Sequence, residues 1–245
     1  MIPEQPLPAA PCVDALLSAR ARAWRPGSPT PVRHEEIFAA SGDAGGAALA
    51  LALACDRMKE DERPFLWVQD KAALRLSGRP YRPGMPPGLR HRLVHVVADR
   101  AEDALFALEE GLRCRDLAFV IGELTGNPRA LSFTASRRLS LAAERHGVPL
   151  WLVRLDAQRD LGSARMRWAV RSARSPAPGW NPQAPGTPSW RVELFRARNH
   201  PPGEWILCDD GGNLSACPST GAGRAGPVLG PESARPAPVE GRAHG

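Results

Sequence analysis

The chain has 245 residues, 43% of them hydrophobic, which is enough for one substantial core. It has no apolar run near the roughly 18 residues that a membrane-spanning helix needs, and its first residues, MIPEQPLPAAPCVDALL, lack the basic and apolar segments of a secretory signal. A cytoplasmic protein without membrane contact is expected, and its formal charge of +6, nearly all arginine because only Lys59 and Lys71 are lysines, is weak evidence for nucleic acid by itself.

Residues 1–31 hold a short helical pattern, Val13 to Trp24, and then the linker RPGSPTP. A core over residues 32–155 follows. It starts with an extended piece around Arg33–Phe38, the turn SGDAGG and the helical stretch AALALALACDRM. PFLWVQ reads as a strand, KAALRL as a short helix, SGRPYRPGMPPG as a turn-rich connection and LVHVVA as the next strand. Asp99 with Glu102 suggests a capping box for a helix from Ala101 to Cys114. LAFVIGEL is the most strand-like run, and Asn127 before Pro128 reads as the start of a helix that ends at His146, with Gly147 as its left-handed exit. PLWLVRL closes the series. Apolar strands separated by helices call for parallel βαβ units with helices on both faces of the sheet, an α/β doubly wound arrangement.

From 156 to 217 the pattern changes to MRWAV, WRVELFRAR and EWILCDD, alternating strands with no helix between them, which predicts an antiparallel extension. Residues 218–245 are almost free of large apolar side chains and are expected to be disordered. The five cysteines are scattered and form no CxxC pair, so reduced thiols are expected and no metal site is.

The turn Ser41-Gly42-Asp43-Ala44-Gly45-Gly46 stands between strand and helix, where a P-loop would cradle phosphate with backbone amides and a lysine. The lysine is missing, and Asp43 would repel an anion. The residues fit either a plain strand-to-helix turn or residual nucleotide binding. Asp70 and Glu123 end strands at the edge where nucleotide enzymes hold magnesium, and they suit either that role or capping and turn roles. No nucleophile–base pattern such as G-x-S-x-G or HExxH occurs. Between Arg154 and Glu204 nine arginines face four acids, and the mixture of Arg165, Arg167, Trp168, Arg171, Trp180, Trp190, Arg191, Arg196 and Arg198 is the strongest interaction signal in the chain. Guanidinium groups pair phosphates or carboxylates, and aromatic faces stack bases or fill partner pockets. A solvated strand face with buried tryptophans has the same pattern.

The ordered set EIFAASGDAGGAALALALA, LWVQDKAALRLSGRPYRPG, EEGLRCRDLAFVIGEL, NPRALSFTASRRLSLAAERHGVPLWLVRLDA, ARMRWAV and PGTPSWRVELFRARNHPPGEWIL resembles the ImuA family of alphaproteobacteria from about Arg33 to Leu207. The resemblance implies a RecA-like fold, related also to the division inhibitor SulA. It implies a role in SOS-induced translesion synthesis beside ImuB, an inactive Y-family polymerase relative, and an error-prone DnaE-type polymerase. RecA and DNA, the latter contacted directly or through a partner, are further candidates. By position SGDAGG would replace RecA's phosphate loop, Asp70 would fall near its catalytic acid and Glu123 near its magnesium-binding acid, and no catalytic residue carries over. The expectation is a non-catalytic accessory protein with no cofactor. A DNA-dependent ATPase and a SulA-like inhibitor of cell division are the alternatives.

Overall fold

The computed structural model describes residues 24–27, 31, 33–181 and 183–217. Both the helical pattern that begins at Val13, apart from Trp24, and the tail from 218 onward lie outside them. The described residues form strands β1 (His34–Ala39), β2 (Phe65–Asp70), β3 (Leu93–Ala98), β4 (Val120–Thr125), β5 (Leu150–Leu155), β6 (Met166–Ser172), β7 (Ser189–Ala197), β8 (Gly203–Asp210) and β9 (Asn213–Ala216). Helices are α1 (Gly45–Arg57), α2 (Lys71–Ser77), α3 (Ala101–Arg113) and α4 (Phe133–His146).

All nine strands join one sheet in the order β3-β2-β4-β5-β1-β6-β7-β8-β9. The pairs β1 with β5, β2 with β3, β2 with β4 and β4 with β5 are parallel, as apolar runs separated by helices require. Leu49 and Leu53 of α1 pack with Ile37, Phe119 and Trp151 on one face, while Leu108 and Leu112 of α3 and Leu139 of α4 pack on Leu66, Val120 and Leu150 on the other. The fold is therefore the expected α/β, RecA-like one, with a mostly parallel sheet, helices on both faces and antiparallel C-terminal strands. No described helix is long and apolar enough to cross a membrane.

Several local expectations change. β6 is not the first antiparallel strand: it lies parallel to β1, on the side opposite β5, and the antiparallel pairing begins only with β7. The crossover from β5 to β6 is an irregular loop rather than a helix, so the chain pattern there gave no parallel signal. α4 starts at Phe133, capped by Ser132, whose hydroxyl accepts from the Ala135 amide at 3.3 Å. Asn127 instead holds that crossover loop, its Oδ1 accepting from Gln158 N at 2.7 Å and its Nδ2 donating to Asp160 at 2.6 Å. Asp99 does not cap α3; it pairs with Lys71 at 2.7 Å, and the N-cap position is Arg100. Gly147 does end α4 with φ of 73°, in the left-handed region. The thiol expectation is corrected too. The β8–β9 hairpin brings Cys208 and Cys217 together in a disulfide with Cα atoms 5.9 Å apart, whereas Cys55 and Cys114 are free.

Candidate functional site

The β1–α1 turn lies at the C-terminal edge of the parallel strands, where doubly wound folds bind ligands. Three of its amides, those of Ser41, Asp43 and Gly45, are taken up by the chain itself, the Asp43 amide by the Ala40 carbonyl. Asp156 Oδ1 accepts from Ser41 N at 2.8 Å, and Asp43 Oδ1 accepts from Gly45 N at 2.7 Å. Asp43 also accepts from the Ser172 hydroxyl at 2.5 Å and from the Ser172 amide at 2.8 Å, which ties the turn to the end of β6. Partial burial works to raise the Asp43 pKa, yet the Ser172 hydroxyl and amide and the Gly45 amide together hold it below the ordinary aspartate value. Asp156 reaches Ser41 from a backbone φ of 51°, a left-handed conformation that aspartate tolerates better than most residues. Two fixed negative charges thus stand where a phosphate would be gripped.

Gly45 and Gly46 of the turn serve packing, whereas Gly42 faces open space. A Cβ on Gly46 would lie 2.7 Å from Ala39 Cβ and 2.9 Å from Val153 Cγ1, so any side chain there forces α1 away from the sheet.

Asp70 caps α2, accepting from Ala73 N at 2.6 Å. Glu123 is buried on the neighbouring strand, opposite Gln69. Its Oε1 accepts from Trp67 Nε1 at 2.6 Å, and its Oε2 lies 2.8 Å from Ser77 Oγ. Ser77 also faces the Ala73 carbonyl at 2.9 Å and receives Gln69 Nε2 at 3.1 Å. The Ser77 hydroxyl shares its one hydrogen between the Glu123 carboxyl and the Ala73 carbonyl and accepts from Gln69. Burial raises the Glu123 pKa, against the hydrogen bonds from Ser77 and Trp67. The residues present do not fit a magnesium site: one acid is committed to a helix cap and the other is desolvated. Among the described residues no three His, Cys, Asp or Glu side chains come together to hold a metal. Trp67, Leu51, Leu76, Tyr81 and Met85 line the same cleft, of about 630 Å³, and make it largely apolar.

The arginine and tryptophan set divides. Trp168 and Trp190 are interior residues, and Trp168 donates to Glu35 at 2.9 Å while its ring meets Trp24 edge-on at 4.7 Å. Arg167 is only 2% exposed; its Nε donates to Glu36 and its guanidinium lies over Phe38 at 4.9 Å. These three leave the candidate surface. The physical reason is twofold. Trp168 and Trp190 belong to the sheet face that α1 covers, and Arg167 on the opposite face is covered from the side of the crossover loop, where Asp160 comes within 3.6 Å of it. A register shift between Arg167 and Trp168 sets Arg167 opposite Arg196 but Trp168 opposite Leu194, so simple alternation does not carry through β7.

Arg171, Arg191, Arg196 and Arg198 are exposed, and Arg165 is held by Glu144 at 2.6 Å. Arg171 and Arg191 face each other across β6 and β7. Arg196 and Arg198 instead line a groove of about 640 Å³ beside α4, with Phe133, Arg137 and Leu141. Spacing reveals this last trio: positions i, i+4 and i+8 share one helical face, but that face is recognised as outward only once the start of α4 is known.

The ImuA proteins of two strains of Caulobacter vibrioides are 33% identical to this chain over 190 residues, covering 71% of it and 73% of them. The chain belongs to the ImuA family. No family model matches it. In this ImuA-family chain Asp43 and Asp156 hold amides of the turn that resembles a phosphate loop, and the exposed arginines lie on β6, β7 and the α4 groove, with Arg171 next to the Ser172 that Asp43 binds.

Proposed function

We propose that this ImuA-family chain is a non-catalytic, RecA-like accessory protein of damage-induced translesion synthesis. It acts in the cytoplasm beside an ImuB-type inactive polymerase relative and an error-prone DnaE-type polymerase. The observation that carries the reading is the β1–α1 turn: Asp43 and Asp156 take the Gly45 and Ser41 amides, and no lysine follows the glycines. A triphosphate would have to displace two charge-assisted contacts, each of about 1.5–3 kcal/mol, and then sit beside the displaced carboxylates. The work is instead binding, and the exposed Arg171, Arg191, Arg196 and Arg198 are the residues that meet a partner. Arginine is favoured at such surfaces because its planar fork pairs carboxylates in two places at once.

The test uses the purified full chain. Hydrolysis of radiolabelled ATP with magnesium and single-stranded DNA should not exceed the rate without protein, and a purified ImuB-type protein should be retained by the immobilised chain. Clear turnover, or no retention, would overturn the proposal.

A further inference from the structure

The groove beside α4 pairs unneutralised charge with exposed apolar side chains. Phe133 and Leu141 are each 52% exposed on one side of α4, with Arg137 between them. Arg196 and Arg198 approach from the end of β7, and Leu161, next to the groove-lining Gly162, is 77% exposed. Three other surface arginines are paired: Arg159 with Glu193, Arg165 with Glu144, and Arg138 with Glu109. Among the described residues no carboxylate lies within ion-pair distance of Arg137, Arg196 or Arg198, and the Glu144 carboxylate that feels the Arg198 charge is already taken up by Arg165. The floor adds little polar demand, because the Ser140 and Ser163 hydroxyls are 2.6 Å apart and Ser140 also meets His34 Nδ1 at 3.0 Å. That serine–histidine contact is an interior one, since both side chains are buried.

We propose that this groove docks an acidic amphipathic segment of a partner protein, a short stretch in which carboxylates flank one or two large apolar side chains. Three guanidinium groups outside ion-pair distance of any carboxylate, set around apolar anchors, are complementary to that chemistry. A phosphate backbone would satisfy the arginines but leave Leu141 and Leu161 facing water, so a protein segment is favoured over a nucleic acid. The proposal deepens the partner reading above and rests on it.

The experiment uses the full chain, the variants Phe133→Ser/Leu141→Ser and Arg137→Glu/Arg196→Glu/Arg198→Glu, and circular dichroism to confirm the fold of each. Three probes are measured: a purified ImuB-type protein, a fluorescein-labelled peptide of about 14 residues built from Glu, Leu and Phe, and an oligothymidine of about the same length. Each variant should weaken both the ImuB-type protein and the peptide by about tenfold or more, and the peptide with its Leu and Phe replaced by Ser should bind wild type about as poorly. Retention of the ImuB-type protein by both variants at the wild-type level overturns the groove while leaving the partner reading intact. No retention by wild type overturns the partner reading, and peptide binding still judges the groove. Oligothymidine binding that only the arginine variant abolishes, with a peptide indifferent to its apolar anchors, makes the groove a nucleic-acid site and overturns the proposal.

Discussion

Arg167 donates through Nε to Glu36 Oε2 at 2.7 Å, with both side chains buried to within 3% of full enclosure. Arg154 stands 3.8 Å from the other oxygen of the same carboxylate, and Asp160 lies 3.6 Å from both arginines. A residue that reads as part of a basic surface is therefore a structural ion in the interior of β6.

Replacing Arg167 by alanine should destabilise the chain by about 3–5 kcal/mol, because Glu36 would stay buried with Arg154 as its remaining close cation. Arg191→Ala, at an exposed strand position, should cost within about 0.5 kcal/mol. Urea unfolding of the two variants separates these roles. Similar midpoints for both would show that the Glu36 network is not a structural unit.

The turn between β1 and α1 gives a second prediction. Asp43→Ala should lower stability by about 1–2 kcal/mol, since Gly45 N and Ser172 lose their acceptor, and it should not create ATP binding. Gly46→Lys, which restores a lysine, should be more damaging because Ala39 and Val153 occupy the space its Cβ needs. Thermal unfolding with and without ATP and magnesium checks both. A nucleotide-dependent rise in melting temperature for either variant would show that the turn retains a phosphate site.

Two buried groups set opposite pH trends. Burial pushes the His34 pKa down to about 3, and Arg154, Arg167 and Arg165 add to the fall against Glu35. The folded chain thus binds fewer protons than the unfolded chain between about pH 6.5 and 3, and stability should be lost as pH drops through that window. Glu123 behaves inversely. Its raised pKa keeps a proton that the unfolded chain releases, so its contribution is present at low pH and is lost as pH rises from the ordinary glutamate value. His34→Gln should flatten the acid limb, and Glu123→Gln should be at least as stable as wild type at neutral pH. Denaturant midpoints measured from pH 4.5 to about 8 test this, and a large loss for Glu123→Gln at neutral pH would mean that the ionised carboxylate is what Trp67 requires.

Much of the fold was legible because the strands and helices each bury one continuous apolar pattern, as in Leu150–Leu155 and the exit of α4 at Gly147. Asn127 and Asp99 misled because a capping side chain is recognised by local sequence, whereas their partners, Gln158 and Lys71, come from elsewhere in the chain. The same limit applied to the site. The missing lysine and the acid at 43 were visible, but the clasp from Asp156 needed the crossover of β5, and the burial of Arg167 needed Glu36, a carboxylate over a hundred residues away. Only the paired acids of HEEIFA hinted that arginines would be drawn inside.

The most direct test is the frequency of damage-induced mutation in cells lacking this protein and supplied with one of two variants. Asp70→Asn/Glu123→Gln keeps the cap and the buried hydrogen bonds but removes both acids that an ATPase would use, and the account predicts mutation at the wild-type frequency. Alanine at Arg171, Arg191, Arg196 and Arg198 removes the exposed arginines on β6, on β7 and just after it, and should reduce mutation to the level of cells without the protein. Loss of mutagenesis with the acid variant, together with full activity of the arginine variant, would contradict a protein that works by docking rather than by turnover.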